Sequence, residues 1–126
     1  MISHAGSVGV NVRDQDRTVA FFCHTLGFEK RVDEPMGREG GPRWIELAPP
    51  GAQTVVVPFA AEDPATVGHF TNIIFETDDI AATHGELAGR GVRFAQAPER
   101  YGWGWWAQFV DPDGNEYGLV ERSRPR

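Results

Sequence analysis

Trp103, Trp105 and Trp106 crowd into one stretch, GWGWWAQFVDPDGNEYGLVE, running from Gly102 to Glu121. Indoles at that density can pack a core, meet a partner or wall a pocket. A wall of indoles would hold flat aromatic molecules by stacking, worth about 0.5–1.5 kcal/mol per ring pair beyond the area buried. In the same stretch Asp111, Asp113 and Asn115 alternate, as in loops that coordinate calcium. An EF-hand needs glycine at its sixth position and glutamate at its twelfth, where this chain has Glu116 and Arg122. Asp-Pro-Asp-Gly at 111–114 instead carries the preferred residues of a tight turn. No His-x-Glu-x-x-His motif or Cys/His cluster is present to suggest another metal. Cys23, the single cysteine, reads as a small buried hydrophobe.

Composition bounds what such residues can serve. The chain has 126 residues, 40% hydrophobic and 24% charged, within the range of one globular domain. A net charge of −6 argues against nucleic-acid binding, which needs a basic face. No apolar run is long enough to span a bilayer, and residues 1–12 do not read as a secretory signal. One cysteine excludes an internal disulfide and fits a cytoplasmic location. Eleven arginines against the single Lys30 suggest a bacterial, GC-rich source.

The elements that would position these residues repeat. SVGVNVRD alternates, with Val8, Val10 and Val12 opposite Ser7, Gly9 and Asn11, which predicts a half-buried strand. Asp14 or Asp16 can cap a helix whose apolar stripe is Val19, Phe22, Cys23 and Leu26, with Gly27 ending it. FEKRVD, RWIELAPP and TVVVPF read as three strands. After a joint at 60–68, FTNIIFET predicts a strand and DDIAATHGELAGRG a capped helix facing inward through Ile80, His84, Leu87 and Ala88. VRFAQ, WWAQFV and NEYGLVE complete the set, and RSRPR is expected to fray. A shift of about 64 residues lays Asp14 over Asp79 and Gly27 over Gly91, so the chain reads as a duplicated βαβββ unit.

VRDQDRTVAFFCHTLGFE followed by FVDPDGNEYGLVE resembles the vicinal oxygen chelate superfamily, which includes glyoxalase I, bleomycin-resistance and fosfomycin-resistance proteins and extradiol dioxygenases. The resemblance implies an α+β fold in which two βαβββ modules form a cupped mixed sheet around a central cavity, usually as a homodimer. Module one would span about 5–59 and module two about 69–121 of a single domain, 1–126. It also implies four metal ligands, each a His or Glu, from the first and last strands of both modules. Carried over one at a time, those positions hold Ser7, Val55 or Val57, Asn72 and Gly118. A hydroxyl, an amide and residues without a donor do not make a divalent site, so no metal and no cofactor is expected. His4 and His69 stand three residues before Ser7 and Asn72, an offset that turns them to the other face of a strand, and both are expected to be solvated.

Phased from the same positions, alternation turns Asn11, Asn72, Ile74, Glu76 and Gly118 toward the cavity, with Trp106 and Gln108 from the strand before the turn. Trp44 and Glu46 share a face of RWIELA, and Trp103 is expected at the rim of the cavity or against a partner subunit. Apolar walls with sparse polar groups are the usual make-up of a ligand pocket. The expectation is a metal-free protein that sequesters an aromatic or amphipathic small molecule, as bleomycin-resistance proteins do, rather than an enzyme. The alternative is a lyase or isomerase with Glu46 or Glu76 as base, or with a relocated metal.

Overall fold

A computed structural model describes residues 1–123; of the expected frayed tail, residues 124–126 lie outside the described residues. The chain divides into two compact units, Met1–Val67 and a second beginning at Gly68. Each is a βαβββ module with a four-stranded mixed sheet.

In module one, β1 (Ser7–Val12) leads into α1 (Gln15–Ala20), followed by β2 (Glu29–Pro35), β3 (Arg43–Ala48) and β4 (Val55–Ala60). The sheet order is β1-β4-β3-β2, with β1 parallel to β4 and the other pairs antiparallel. Val10, Val12, Ile45, Leu47 and Val56 are buried on one face, as the alternation of β1 predicts. Asp14 caps α1 by accepting from the Arg17 N–H. Gln15 is a buried polar residue that the apolar pattern does not suggest. Its amide donates to the carbonyls of Arg43 and Pro58, and its Oε1 accepts from the Arg43 N–H, tying α1 to β3 and β4.

The predicted stripe Val19, Phe22, Cys23 and Leu26 is corrected by the structure. After Ala20 the helix widens into a π turn over Phe21–Thr25, with the Leu26 N–H reaching back to the Phe21 carbonyl. The buried side runs through Gln15, Thr18, Phe21 and Phe22, Val19 is half-buried, and the extra residue of the π turn leaves Cys23 and Leu26 half-buried as well. Burial still pushes the Cys23 thiol above its ordinary pKa, which keeps it protonated.

Module two repeats the plan with β5 (Phe70–Glu76), α2 (Ile80–Gly89), β6 (Arg93–Tyr101), β7 (Gly104–Val110) and β8 (Glu116–Arg122), in sheet order β5-β8-β7-β6. Asp79 caps α2 as Asp14 caps α1, and Gly27 and Gly91 both take φ near +80 to +90° after their helices. Ile80 and Leu87 are buried and His84 packs edge-on against Phe94, but Ala88, expected inside, is exposed. Phe75, Phe109 and Tyr117 stack in the core. No described helix is long and apolar enough to cross a membrane.

The Asp-Pro-Asp-Gly turn is a buried hydrogen-bond knot. Asp111 accepts from the N–H groups of Asp113 and Asn115 through Oδ1 and from the Tyr117 hydroxyl through Oδ2 at 2.7 Å. Asn115 in turn accepts from the Gly68 N–H. Burial raises the Asp111 pKa against these donors, and burial with the adjacent Asp111 charge raises that of Tyr117. Tyr117→Phe should therefore cost about 1–3 kcal/mol, because the buried carboxylate loses a donor. In the native protein the unfolded phenol ionises above about pH 10 while the folded one stays protonated, so stability falls with rising pH there. Urea titrations from neutral to alkaline pH should show a lower midpoint for Tyr117→Phe at pH 7 and a weaker alkaline decline.

Candidate functional site

In module one the sheet face away from the valine core carries a small aromatic platform. Register sets Gly9 beside Val57 and Asn11 beside Phe59, and Leu47 opposite Val56 brings Trp44 and Glu46 onto the same face. The rings of Trp44 and Phe59 meet edge to face at 5.6 Å, over Ala48, Val55 and Val57. Gly9 is required beneath them: a Cβ there would lie 2.8 Å from Phe59 Cε2. Trp44 Nε1 donates to Glu46 Oε2 at 2.9 Å, which fixes the indole edge, and the residue is half-buried.

Module two builds the same device on β7. Trp106 Nε1 donates to Gln108 Oε1 at 3.1 Å, again two residues on along the same strand face. The amide passes the chain on, Gln108 Nε2 donating to Glu116 Oε1 at 3.1 Å. Trp106 lies across Gly118, where a Cβ would meet its Cη2 at 2.5 Å and Ile74 Cγ1 at 3.1 Å, and its ring lies 6.1 Å from that of Phe70, centroid to centroid. Ile74 is 49% exposed, an apolar side chain left in solvent beside the indole.

The structure thus gathers Asn11, Trp44 and Glu46 on one face of module one, and Ile74, Trp106, Gln108 and Gly118 on one face of module two. Two candidates stand apart. Trp103 is at the β6–β7 turn, 47% exposed and stacked parallel on Tyr101 at 5.9 Å, whose hydroxyl meets Glu99. Asn72 is not in a regular strand. Pairing jumps from Phe70 opposite Glu116 to Ile74 opposite Gly118, and Asn72 sits in the resulting bulge at φ 63°, a left-handed conformation that asparagine tolerates. The Thr71 hydroxyl closes the bulge, donating to the Glu116 carbonyl and accepting from the Ile73 N–H. Alternation therefore fixes no direction for the Asn72 side chain.

Glu76, opposite Val120, shares the sheet face of Ile74 and Gly118 and is exposed there in an ion pair with Arg122 at 2.9 Å. Phe59 and Phe70, which complete the two platforms, are absent from the sequence-based set. Phe59 shares the parity of Val55 and Val57, a usable signal; the bulge hides Phe70. His4 and His69 are exposed. Among the described residues no group of three or more His, Cys, Asp or Glu could hold a metal. The positions that the resemblance assigns to metal ligands hold Ser7 and Val55 or Val57 in module one, and Asn72 and Gly118 in module two, a donor set that does not fit a divalent ion.

A cleft of about 410 Å³ opens elsewhere in module one, between the start of α1 and the glycine-rich 37–41 loop. Its Arg43 is spent on Asp16 and Asp33, and the Asp33 carboxyl is held below its usual pKa by Arg43 and Lys30.

The Glyoxalase/Bleomycin resistance protein/Dioxygenase superfamily model matches residues 2–119. YetH of Bacillus subtilis is 37% identical over 122 residues, spanning 96% of this chain and 100% of its own. A superfamily member from Sphaerobacter thermophilus superposes with a TM-score of 0.84 at 35% identity, covering 96% of this chain and 98% of that one. TnmS3, an antibiotic binding protein from Streptomyces sp. CB03234, gives a TM-score of 0.83 at 36% identity, covering 97% and 98%.

Proposed function

Because the chain belongs to the glyoxalase/bleomycin resistance protein/dioxygenase superfamily, we propose that it is a metal-free binder of a flat aromatic or amphipathic small molecule, acting by sequestration rather than catalysis. The observation that carries this reading is the repeated indole device. In each module a tryptophan is fixed by its N–H to the residue two positions on, with a glycine kept on the same sheet face. Two platforms of one kind, each half-buried with its indole N–H already bonded, suit stacking of a flat ligand. The antibiotic-binding neighbour, at 36% identity, supports a ligand of drug size. Glu46 and Glu76, the bases a catalytic reading would use, are bonded to Trp44 and Arg122. The homodimer and the cytoplasmic location belong to the same proposal, the first from the family resemblance and the second from the cysteine usage.

Titration of tryptophan fluorescence with planar polycyclic aromatics tests it. A ligand of about 25 non-hydrogen atoms at about −0.3 kcal/mol per atom should bind with a low-micromolar Kd. Saturable quenching is expected; no quenching across such a panel would contradict the proposal.

A further inference from the structure

The two platforms hold their indoles with different groups. Module one holds its indole with a carboxylate, Glu46, and module two holds its own with an amide, Gln108. Glu46 Oε2 takes the Trp44 N–H, and its other oxygen has no partner among the described residues. On the neighbouring strand, β2 pairs Glu34 opposite Trp44, a second carboxylate without a partner in the described residues. Arg31, at the Ala52 end of β2, is committed to the Ala52 and Pro49 carbonyls and to Glu29. The module-one platform is thus an indole flanked by carboxylates whose negative charge is not answered from within.

A flat ligand lying on Trp44 strips water from Glu46. Burying a carboxylate oxygen without a donor is costly, and one N–H from the indole leaves the second oxygen bare. A neutral ring cannot supply the missing charge and an anionic one adds repulsion. A cationic nitrogen at the ring edge pairs with the free oxygen and gains from the indole π face as well.

We infer that the ligand class is a planar aromatic cation, with Glu46 as its counter-ion and the specificity-determining residue of module one. The inference rests on the stacking reading above and narrows it.

Three acridines of nearly one shape separate the two. In mildly alkaline, low-salt buffer, 9-aminoacridinium is cationic, acridine neutral and acridine-9-carboxylate anionic. The wild-type protein should bind the cation about tenfold more tightly than the neutral ring and the anion more weakly than either, with the cation's advantage shrinking at high salt. Glu46→Gln should bring cation and neutral ring within about threefold, the cation losing its counter-ion and the neutral ring no longer covering an unpaired carboxylate oxygen. Gln108 already shows that an amide oxygen at this place can hold the indole N–H. Equal wild-type affinity for all three overturns the inference and leaves the stacking proposal standing. A cation preference that survives Glu46→Gln overturns the assignment to Glu46. Absence of binding by any acridine overturns both. The wild-type salt dependence carries the charge test without any substitution.

Discussion

Gly104→Ala should unfold the protein more readily than any other addition of a single methyl to its glycines. Gly104 opens β7 at φ +146°, a conformation that L side chains rarely adopt. A Cβ there would stand 2.2 Å from the Glu121 carbonyl oxygen and 3.0 Å from the Arg122 Cα and Ser123 N. Those atoms are backbone of the paired strand β8, so no rotamer change relieves the contact; β7 and β8 must separate. Backbone strain of about 1–3 kcal/mol plus the clash puts the loss at about 3–5 kcal/mol, a large part of a small domain's stability. Gly102→Ala, two residues away, meets nothing within 4 Å and should change little. Urea denaturation of the two variants checks this; a loss under about 1 kcal/mol for Gly104→Ala would contradict the strand pairing described.

Trp106→Ala should abolish most binding to the module-two platform. The indole supplies the stacking face, with Phe70 and Ile74 left as an apolar floor too small to hold a ring system. Loss of one anchoring aromatic typically costs about 2–3 kcal/mol, or about 30- to 150-fold in Kd. Trp106→Phe should keep part of the affinity, because it retains a ring while losing the N–H bond to Gln108. A subtler variant separates position from presence. Gly118→Ala places a methyl 2.5 Å from Trp106 Cη2 and must tilt the indole, so affinity should fall although the tryptophan remains. Calorimetric titration with a planar aromatic reads all three. Unchanged affinity in both Trp106→Ala and Gly118→Ala would remove module two from the proposal.

Features governed by local chemistry were legible in the residues. The alternation of β1 and the caps Asp14 and Asp79 follow from side-chain preferences acting over a few positions. The glycines ending both helices follow in the same way. The Asp-Pro-Asp-Gly turn was equally plain, although its burial and the Tyr117 bond needed the packed sheet. Features that change the residue count within an element were not legible. A π turn at Phe21–Thr25 and a bulge at Asn72 each insert backbone without altering composition, which upsets the facing of the residues inside them. Gln15 was missed for a different reason: its burial is compensated by three long-range backbone partners that no window of sequence contains.

The candidate site divides along the same line. Trp44 with Glu46 and Trp106 with Gln108 lie two apart on regular strands, where parity alone puts them together. Trp103, though adjacent in sequence to this set, precedes the strained Gly104 and goes to the hairpin turn with Tyr101. Density of tryptophans was therefore a poorer guide than spacing.

The central claim is that a flat ligand lies on the indole faces of Trp44 or Trp106. Intermolecular nuclear Overhauser contacts with bound 9-aminoacridinium test it most directly. Contacts are expected from acridine ring protons to the six-membered-ring protons of Trp44 or Trp106, and none to Trp103. Saturable binding with contacts confined to Trp103 and Tyr101 would contradict it.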